Sequence, residues 1–116
     1  MDFKDYLANT TDNLEKFRAV QPKAAQGFSA MHRGAFFEGD VSVKHKELMA
    51  LAIAMATHCD DCIGFHMKAA IRAGVTRTEV AETISVAISM GGGPAYMYGA
   101  HALEAFDQLA PAVAAE

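Results

Sequence analysis

The chain has 116 residues, of which 52% are hydrophobic, and it carries a formal net charge of −4 at pH 7. A single domain of this length can bury a hydrophobic core without stabilisation by disulfides or a metal. No apolar run approaches the roughly 20 residues of a membrane span, and the ten Lys and Arg residues are scattered, so we expect neither a membrane nor a nucleic-acid partner. Residues Met1 to Asp5 lack the basic and then apolar order of a secretory signal, which predicts a cytoplasmic location.

Helical patterns dominate the N-terminal part of the chain. Residues 1–20 are expected to form an exposed helical extension that is interrupted near Asn9–Asp12, where Thr11 or Asp12 can cap a second piece. Pro22 is well placed in the first turn of the next helix, which is expected to stop near Gly39.

The middle of the chain predicts two helices that pack as an antiparallel hairpin. Ser42 can cap a third helix that runs from about residue 43 to 58. A fourth helix to about Ala73 then packs back against the third, with Asp60 or Asp61 as its cap. The C-x-x-C sequence lies at the turn of this hairpin.

Two further helices complete the predicted fold. Thr76-Arg77-Thr78-Glu79 is a capping box for a fifth helix through Met90. The Gly91–Pro94 segment breaks the chain before a last helix to about Leu109, and residues 110–116 are expected to be a frayed tail. The sequence therefore predicts one all-α domain over residues 1–116, a compact arrangement of about six helices.

The third and fifth helices are unusually apolar. Residues 48–56 include no polar side chain, and residues 80–90 include few. A helix that is hydrophobic all round must be covered on all sides, and a chain of this size has few elements with which to cover it. We therefore expect a homo-oligomer, the alternative being a tightly wrapped monomer.

Both cysteines of the chain lie in the run Cys59-Asp60-Asp61-Cys62-Ile63-Gly64-Phe65-His66. Two thiols at this spacing can close a small disulfide or share a metal, and in a cytoplasmic chain they indicate catalysis or metal binding rather than cross-linking. His66 is one helical turn from Cys62, so it can exchange a proton with the sulfur or bind a ligand beside it.

Local electrostatics at Cys62 act in two directions. The first turn of the fourth helix favours a thiolate through its unpaired N–H groups and its dipole, whereas Asp60 and Asp61 oppose it because negative charge raises a thiol pKa. The hairpin brings Glu47 of the third helix within water-bridged reach of His66. Glu47, His66 and Cys62 can therefore form a proton relay.

The same residues allow other interpretations. The two cysteines could be core thiols, or zinc ligands together with His66 and His58, since a tetrahedral site needs four such donors. Glu47 could be an ordinary first-turn glutamate. These alternatives correspond to a zinc-dependent lyase or hydrolase, or to a non-catalytic oligomeric redox sensor or scaffold. His32, His45 and His101 are expected to be surface or hydrogen-bonded histidines.

Glu47, eleven residues, C-x-x-C, three residues and His66 together resemble the signature of the carboxymuconolactone decarboxylase superfamily, specifically its alkylhydroperoxidase D-like branch. The all-helical layout and the break at Met90–Ala95 are similar to the same family, so the resemblance covers roughly residues 25 to 109. The decarboxylase branch lacks the thiol pair, which argues against lactone decarboxylation.

The resemblance implies a thiol-dependent peroxide reductase whose redox-active disulfide, Cys59–Cys62, is its only cofactor. Cys62 would attack the peroxide, Cys59 would resolve the intermediate, and His66 and Glu47 would form the relay. The best-studied peroxidases of this type have a histidine where this chain has Asp61, and His58 is the candidate that compensates for it. The resemblance also implies a trimer or hexamer, a small peroxide substrate, and a lipoylated or thioredoxin-like electron donor.

Overall fold

A computed structural model describes residues 1–116 and contains helices and no strand, so the all-α prediction is confirmed. The six helices are α1 (Phe3–Val20), α2 (Pro22–Ala35), α3 (Val43–Ala56), α4 (Asp60–Arg72), α5 (Arg77–Gly91) and α6 (Gly93–Ala114). None of them is both long and apolar enough to cross a membrane.

Helices α3 to α6 pack around a shared core, and α1 lies across α4 and α6. Burial in this core is greatest for large side chains from each of the packed helices, namely Phe3, Leu51, Met55, Ile63, Met67, Val80 and Leu109. Helix α2 packs against α1 and contributes no buried residue. The predicted hairpin of α3 and α4 forms, with α3 packed against α5 and α6 and α4 packed against α6 and α1.

Helix starts follow the predicted caps except at α4. Ser42 Oγ accepts a hydrogen bond from the His45 backbone N–H, and Thr76 and Glu79 form a complete capping box. At α4 the N-cap is Cys59, whose Sγ accepts from the Cys62 backbone N–H at 3.2 Å. The prediction of Asp60 or Asp61 as the cap is wrong, because both aspartate side chains bind groups on other helices.

Helix α1 is continuous, so the predicted interruption at Asn9–Asp12 is wrong. Polar side chains break a helix when they hydrogen-bond the local backbone in a non-helical arrangement. Here Thr10 instead donates its hydroxyl to Asp61 on α4, and Asn13 donates to Asn9 O in a helix-compatible bond across one turn.

Helix α6 extends beyond its predicted end. Residues 110–114 are helical and include Pro111, where the sequence predicted a frayed tail. The last residue is anchored as well, because the Arg72 guanidinium lies 2.8 Å from the Glu116 carboxylate. Helix α2, in contrast, is shorter than predicted, because it ends at Ala35 and not near Gly39.

The apolar helices α3 and α5 are only partly covered by their own chain. On α3, Leu51 and Met55 are buried, but Met49 is 50% exposed and Ile53 is 63% exposed. On α5, Met90 is 84% exposed. Each helix therefore presents an uncovered apolar face.

Candidate functional site

The site is built around a disulfide between Cys59 and Cys62, whose Cα atoms are 5.3 Å apart. Cys59 precedes α4 and Cys62 lies in its first turn. The chain reverses before it through His58, which has a positive φ of 59°, and the Cys59 N–H donates to Ala54 O. The reversal brings the start of α4 against the end of α3.

Glu47 and His66 meet across the hairpin. His66 Nδ1 lies 2.6 Å from Glu47 Oε2, so the two side chains bond directly where a water bridge was predicted. The Glu47 side chain is 5% exposed and that of His66 is 17% exposed. An unpaired buried carboxylate is costly, which makes His66 the partner that allows Glu47 to be buried. When Nδ1 donates to Glu47, Nε2 is the nitrogen that remains to accept a proton.

Helix α2 and Phe36, the residue that caps its C-terminal end, cover His66 with aromatic rings. The His32 ring centroid lies 5.2 Å from that of His66, and the Phe36 centroid lies 5.1 Å from it. His32 also stacks on Phe36, with 4.5 Å between centroids. From the sequence, His32 was expected to be a surface or hydrogen-bonded histidine, and its contact with His66 was not foreseen. The spacing of Phe28, His32 and Phe36 at i, i+4 and i+8 was the available signal, since it puts three rings on one helix face.

The two aspartates between the cysteines bind helices from opposite ends of the chain. The Tyr6 hydroxyl donates to Asp61 Oδ2 at 3.0 Å, and the Thr10 hydroxyl donates to Asp61 Oδ1. The Asp61 hydrogen bond, helped by burial, raises the pKa of the Tyr6 phenol. On the other side, His101 Nδ1 lies 2.8 Å from Asp60 Oδ1. Helices α1 and α6 are thus both attached to the first turn of α4.

His58, the candidate auxiliary histidine, packs away from the Glu47–His66 pair. Its ring stacks on Tyr98 of α6 with 4.9 Å between centroids, and Tyr98 in turn contacts the ring of His101. No group of three or more His, Cys, Asp or Glu side chains is arranged to hold a metal ion. The four zinc donors considered from the sequence, Cys59, Cys62, His58 and His66, therefore do not form a ligand set in this arrangement.

Two cavities reach Cys62 and His66. One, of about 440 Å³, lies beside α3 and is mostly apolar, with Met49 and Ile53 in its wall. The other, of about 700 Å³, lies between α1, α2 and α4. It also contains Glu47, Asp61 and His32, and Cys59 lines neither cavity. Cys62 is thus the sulfur that both cavities expose to small molecules.

Sequence comparison identifies a matching protein family and related proteins. The sequence profile of the carboxymuconolactone decarboxylase family matches residues 22–105. An uncharacterized protein from Cupriavidus necator is 37% identical over 108 residues, which are 93% of this chain and 96% of the relative. A second uncharacterized protein, encoded in the cox locus of Paracoccus denitrificans, is 37% identical over 82 residues, 71% of this chain and 74% of that protein.

Solved structures agree with these sequence relatives. A carboxymuconolactone decarboxylase family protein from Legionella pneumophila superposes with a TM-score of 0.90 at 42% identity, covering 93% of this chain and 96% of that one. A family protein from Thermotoga maritima superposes with a TM-score of 0.80 at 23% identity, covering 90% of this chain and 89% of that one. The second likeness concerns the fold alone.

Proposed function

This chain belongs to the carboxymuconolactone decarboxylase family, and we propose that it is a thiol-dependent oxidoreductase of the alkylhydroperoxidase D-like branch that reduces a small peroxide. One observation carries the proposal. Cys62, disulfide-bonded to Cys59, shares two cavities with His66, and His66 is hydrogen-bonded to the buried Glu47. An accessible thiol beside an oriented acid–base group is the arrangement that thiol peroxide chemistry requires.

The first step takes place on the reduced protein. The Cys62 thiolate attacks one oxygen of the hydroperoxide, so that an S–O bond forms as the O–O bond breaks. The departing alkoxide receives a proton from His66 and leaves as an alcohol. Cys62 has then become a sulfenic acid, the first oxidation state of a reactive cysteine.

The second step closes the disulfide. The Cys59 sulfur attacks Cys62 Sγ, the S–S bond forms and the S–O bond breaks, and the hydroxide leaves as water with the Cys59 proton. A lipoylated or thioredoxin-like dithiol then returns two electrons and two protons by thiol–disulfide exchange. The redox-active disulfide is the only cofactor in this cycle.

Glu47 and His66 supply the proton. Glu47 accepts from Nδ1 and so orients the imidazole and leaves Nε2 as the nitrogen that exchanges protons. A protonated His66 one turn from Cys62 favours the thiolate. Cys62 is assigned the attacking role because it lines both cavities, whereas Cys59 lines neither.

We also infer that the working form is a homo-oligomer, with a trimer or a hexamer favoured by the family. The inference is supported by the apolar faces that α3 and α5 leave uncovered, which include Met49, Ile53, Val86 and Met90. Burying such faces between copies removes apolar area from water, and this removal is the main driving force of most protein association.

The direct test is turnover of hydrogen peroxide and of an organic hydroperoxide with dihydrolipoamide as the dithiol. We expect peroxide-dependent oxidation of dihydrolipoamide by the wild-type protein and none above background in Cys62→Ser. An equal rate in the two proteins would overturn the proposal.

A further inference from the structure

Asp61 lies between the two cysteines, and both of its carboxylate oxygens are bound by α1. Tyr6 donates to Oδ2 at 3.0 Å and Thr10 donates to Oδ1, and both bonds are partly buried. These contacts span 55 and 51 residues of sequence. Helix α1 also lies outside the segment that matches the family profile, which begins at residue 22.

Packing holds the two hydroxyls in place. Phe3 is 0% exposed and Leu7 is 4% exposed, so α1 is anchored in the core on the same face that carries Tyr6 and Thr10. Leu7 packs directly over Gly64 of α4, where an added Cβ would lie 2.7 Å from Leu7 Cδ2. The two hydroxyls are therefore presented to the first turn of α4 by a rigid element.

The charge of Asp61 bears on Cys62 because the two residues are adjacent in sequence and line the same cavity. A carboxylate beside a thiol disfavours the thiolate. Two O–H dipoles aimed at the carboxylate offset part of its negative charge, and in a partly buried position solvent screens this effect only in part.

We propose that Tyr6 and Thr10 are positioning residues that hold and partly neutralise the Asp61 carboxylate, and that they thereby set how readily Cys62 forms a thiolate and how readily the Cys59–Cys62 disulfide is reduced. The inference rests on the proposed function for the nucleophilic role of Cys62. It does not depend on which peroxide is the substrate.

Other charged or titratable groups also surround Cys62 and must be kept constant in the test. His32 and Arg33 belong to α2, Lys46 and Glu47 belong to α3, and Asp60 and His66 belong to α4, the helix that carries Cys62. His101 of α6 acts through its hydrogen bond to Asp60. The variants below leave all of them unchanged.

The experiment measures the equilibrium between the disulfide and dithiol forms in dithiothreitol redox buffers at pH 7. Removing both hydroxyls, in Tyr6→Phe/Thr10→Val, leaves the Asp61 charge less offset and destabilises the thiolate. We expect the disulfide to become about three- to tenfold harder to reduce, where tenfold is about 30 mV for a two-electron couple. Asp61→Asn removes the charge and should make the disulfide easier to reduce by a similar factor.

A double-mutant cycle separates this role from a merely structural one. An asparagine at position 61 still accepts hydrogen bonds through its amide oxygen but carries no charge, so adding the two α1 substitutions to Asp61→Asn should change the equilibrium by less than twofold. Thr10→Ser keeps one of the two hydroxyls and should restore part of the wild-type value when it replaces Thr10→Val. Tyr96→Phe and Thr11→Val remove hydroxyls that make no contact with Asp61 and should have no effect.

A second measurement uses the alkylation rate of Cys62 at pH 7 in the Cys59→Ser background. It should fall in Tyr6→Phe/Thr10→Val and rise in Asp61→Asn. The inference is overturned if the equilibrium is unchanged without the hydroxyls, or if their effect is equally large in Asp61→Asn, because the substitutions would then act through the packing of α1. If the double-mutant cycle gives the expected result but the protein does not turn over peroxide, only the proposed substrate is wrong.

Discussion

Glu47 Oε2 and His66 Nδ1 lie 2.6 Å apart although the two residues are separated by 19 positions in the sequence. The contact ties α3 to α4 one turn away from Cys62. Glu47 is the only charged side chain in the buried core, and its sole hydrogen-bond partner is the imidazole that borders both cavities.

Loss of either member of this pair should raise the pKa of Cys62. In the Cys59→Ser background, we expect Glu47→Gln and His66→Ala to move the pH midpoint of Cys62 alkylation upward. His66→Ala removes the imidazole that exchanges a proton with the Cys62 sulfur, and Glu47→Gln removes the carboxylate that orients this imidazole. In the protein with both cysteines, peroxide reduction should slow by about ten-fold or more. Glu82→Gln, on the exposed face of α5, is the matched control. An unmoved midpoint in both variants would assign Glu47 and His66 a structural role.

The two cysteines should behave differently when they are separated. With Cys59→Ser, one equivalent of peroxide should convert Cys62 to a sulfenic acid that a dimedone probe captures in mass spectra. With Cys62→Ser, Cys59 should react much more slowly, because it lines neither cavity and precedes the helix. Oxidised wild-type protein should show the loss of two hydrogens between the two residues. Faster reaction of Cys59 would reverse the assigned roles.

Gly64 should be required for the contact between α1 and α4. A methyl group there would lie 2.7 Å from Leu7 Cδ2 and 2.9 Å from Leu7 Cδ1, so Gly64→Ala should lower the free energy of unfolding by about 1–3 kcal/mol through overpacking. Gly27→Ala is the control, since nothing lies within 4 Å of the added Cβ and alanine favours the helix by about 0.5–1 kcal/mol. Denaturant unfolding measures both. Equal stabilisation by the two substitutions would show that Leu7 yields freely.

The uncovered apolar faces should assemble. Light scattering of the wild-type protein should give a mass several times 12.4 kDa, with three or six subunits expected. Ile53→Glu places a charge on the exposed part of α3, where Ile53 is 63% exposed, and should shift the mass toward the monomer without loss of helicity. Lys16→Glu on exposed α1 is a charge-change control. A wild-type monomer at micromolar concentration would contradict this prediction.

Alkaline pH should weaken the link between α1 and α4. The pKa of Tyr6 in the folded protein is raised above its ordinary value of 10.0, chiefly by the hydrogen bond to Asp61. A raised folded-state pKa means that the stabilisation is fully present below about pH 10 and is lost as pH rises through the folded-state pKa.

The free energy of unfolding, measured from pH 7 to pH 11, tests whether this stabilisation is lost at alkaline pH. Wild-type protein should exceed Tyr6→Phe in stability by about 1.5–3 kcal/mol at pH 7, the usual net value of a hydrogen bond to a charged group, and the difference should shrink above pH 10. A difference that stays constant to pH 11 would mean that the Tyr6 hydroxyl contributes nothing through Asp61. Tyr96→Phe, which removes an exposed hydroxyl, controls for general alkaline effects.

Local features were predictable because their causes lie within a few residues. The capping box at Thr76–Glu79, the Ser42 cap and the glycine break before α6 depend on hydrogen bonds and backbone freedom within one turn, and they lie where the sequence predicted them. The hairpin followed from two adjacent helices and a short turn. It was enough to bring Glu47 and His66 together, although a direct bond could not be distinguished from a water bridge.

The predicted helix cap and helix interruption were wrong where a polar side chain could bind either the nearby backbone or a residue on another helix. Asp60 and Asp61 are good helix caps in isolation, yet they bind His101 and Tyr6 instead, and Cys59 takes the cap position. Thr10 and its neighbours were predicted to interrupt a helix for the same reason. Local competition decides such positions only when no tertiary partner is available.

By itself the sequence determined the helical class, most helix boundaries and the identity of the C-x-x-C, His66 and Glu47 constellation, because periodicity, caps and spacing are properties of neighbouring residues. Only the tertiary structure decided that His32 covers His66 and that Tyr6 and Thr10 bind Asp61. The physical reason is that these contacts join helices whose relative positions are set by the packing of a shared core, and no local pattern encodes that packing.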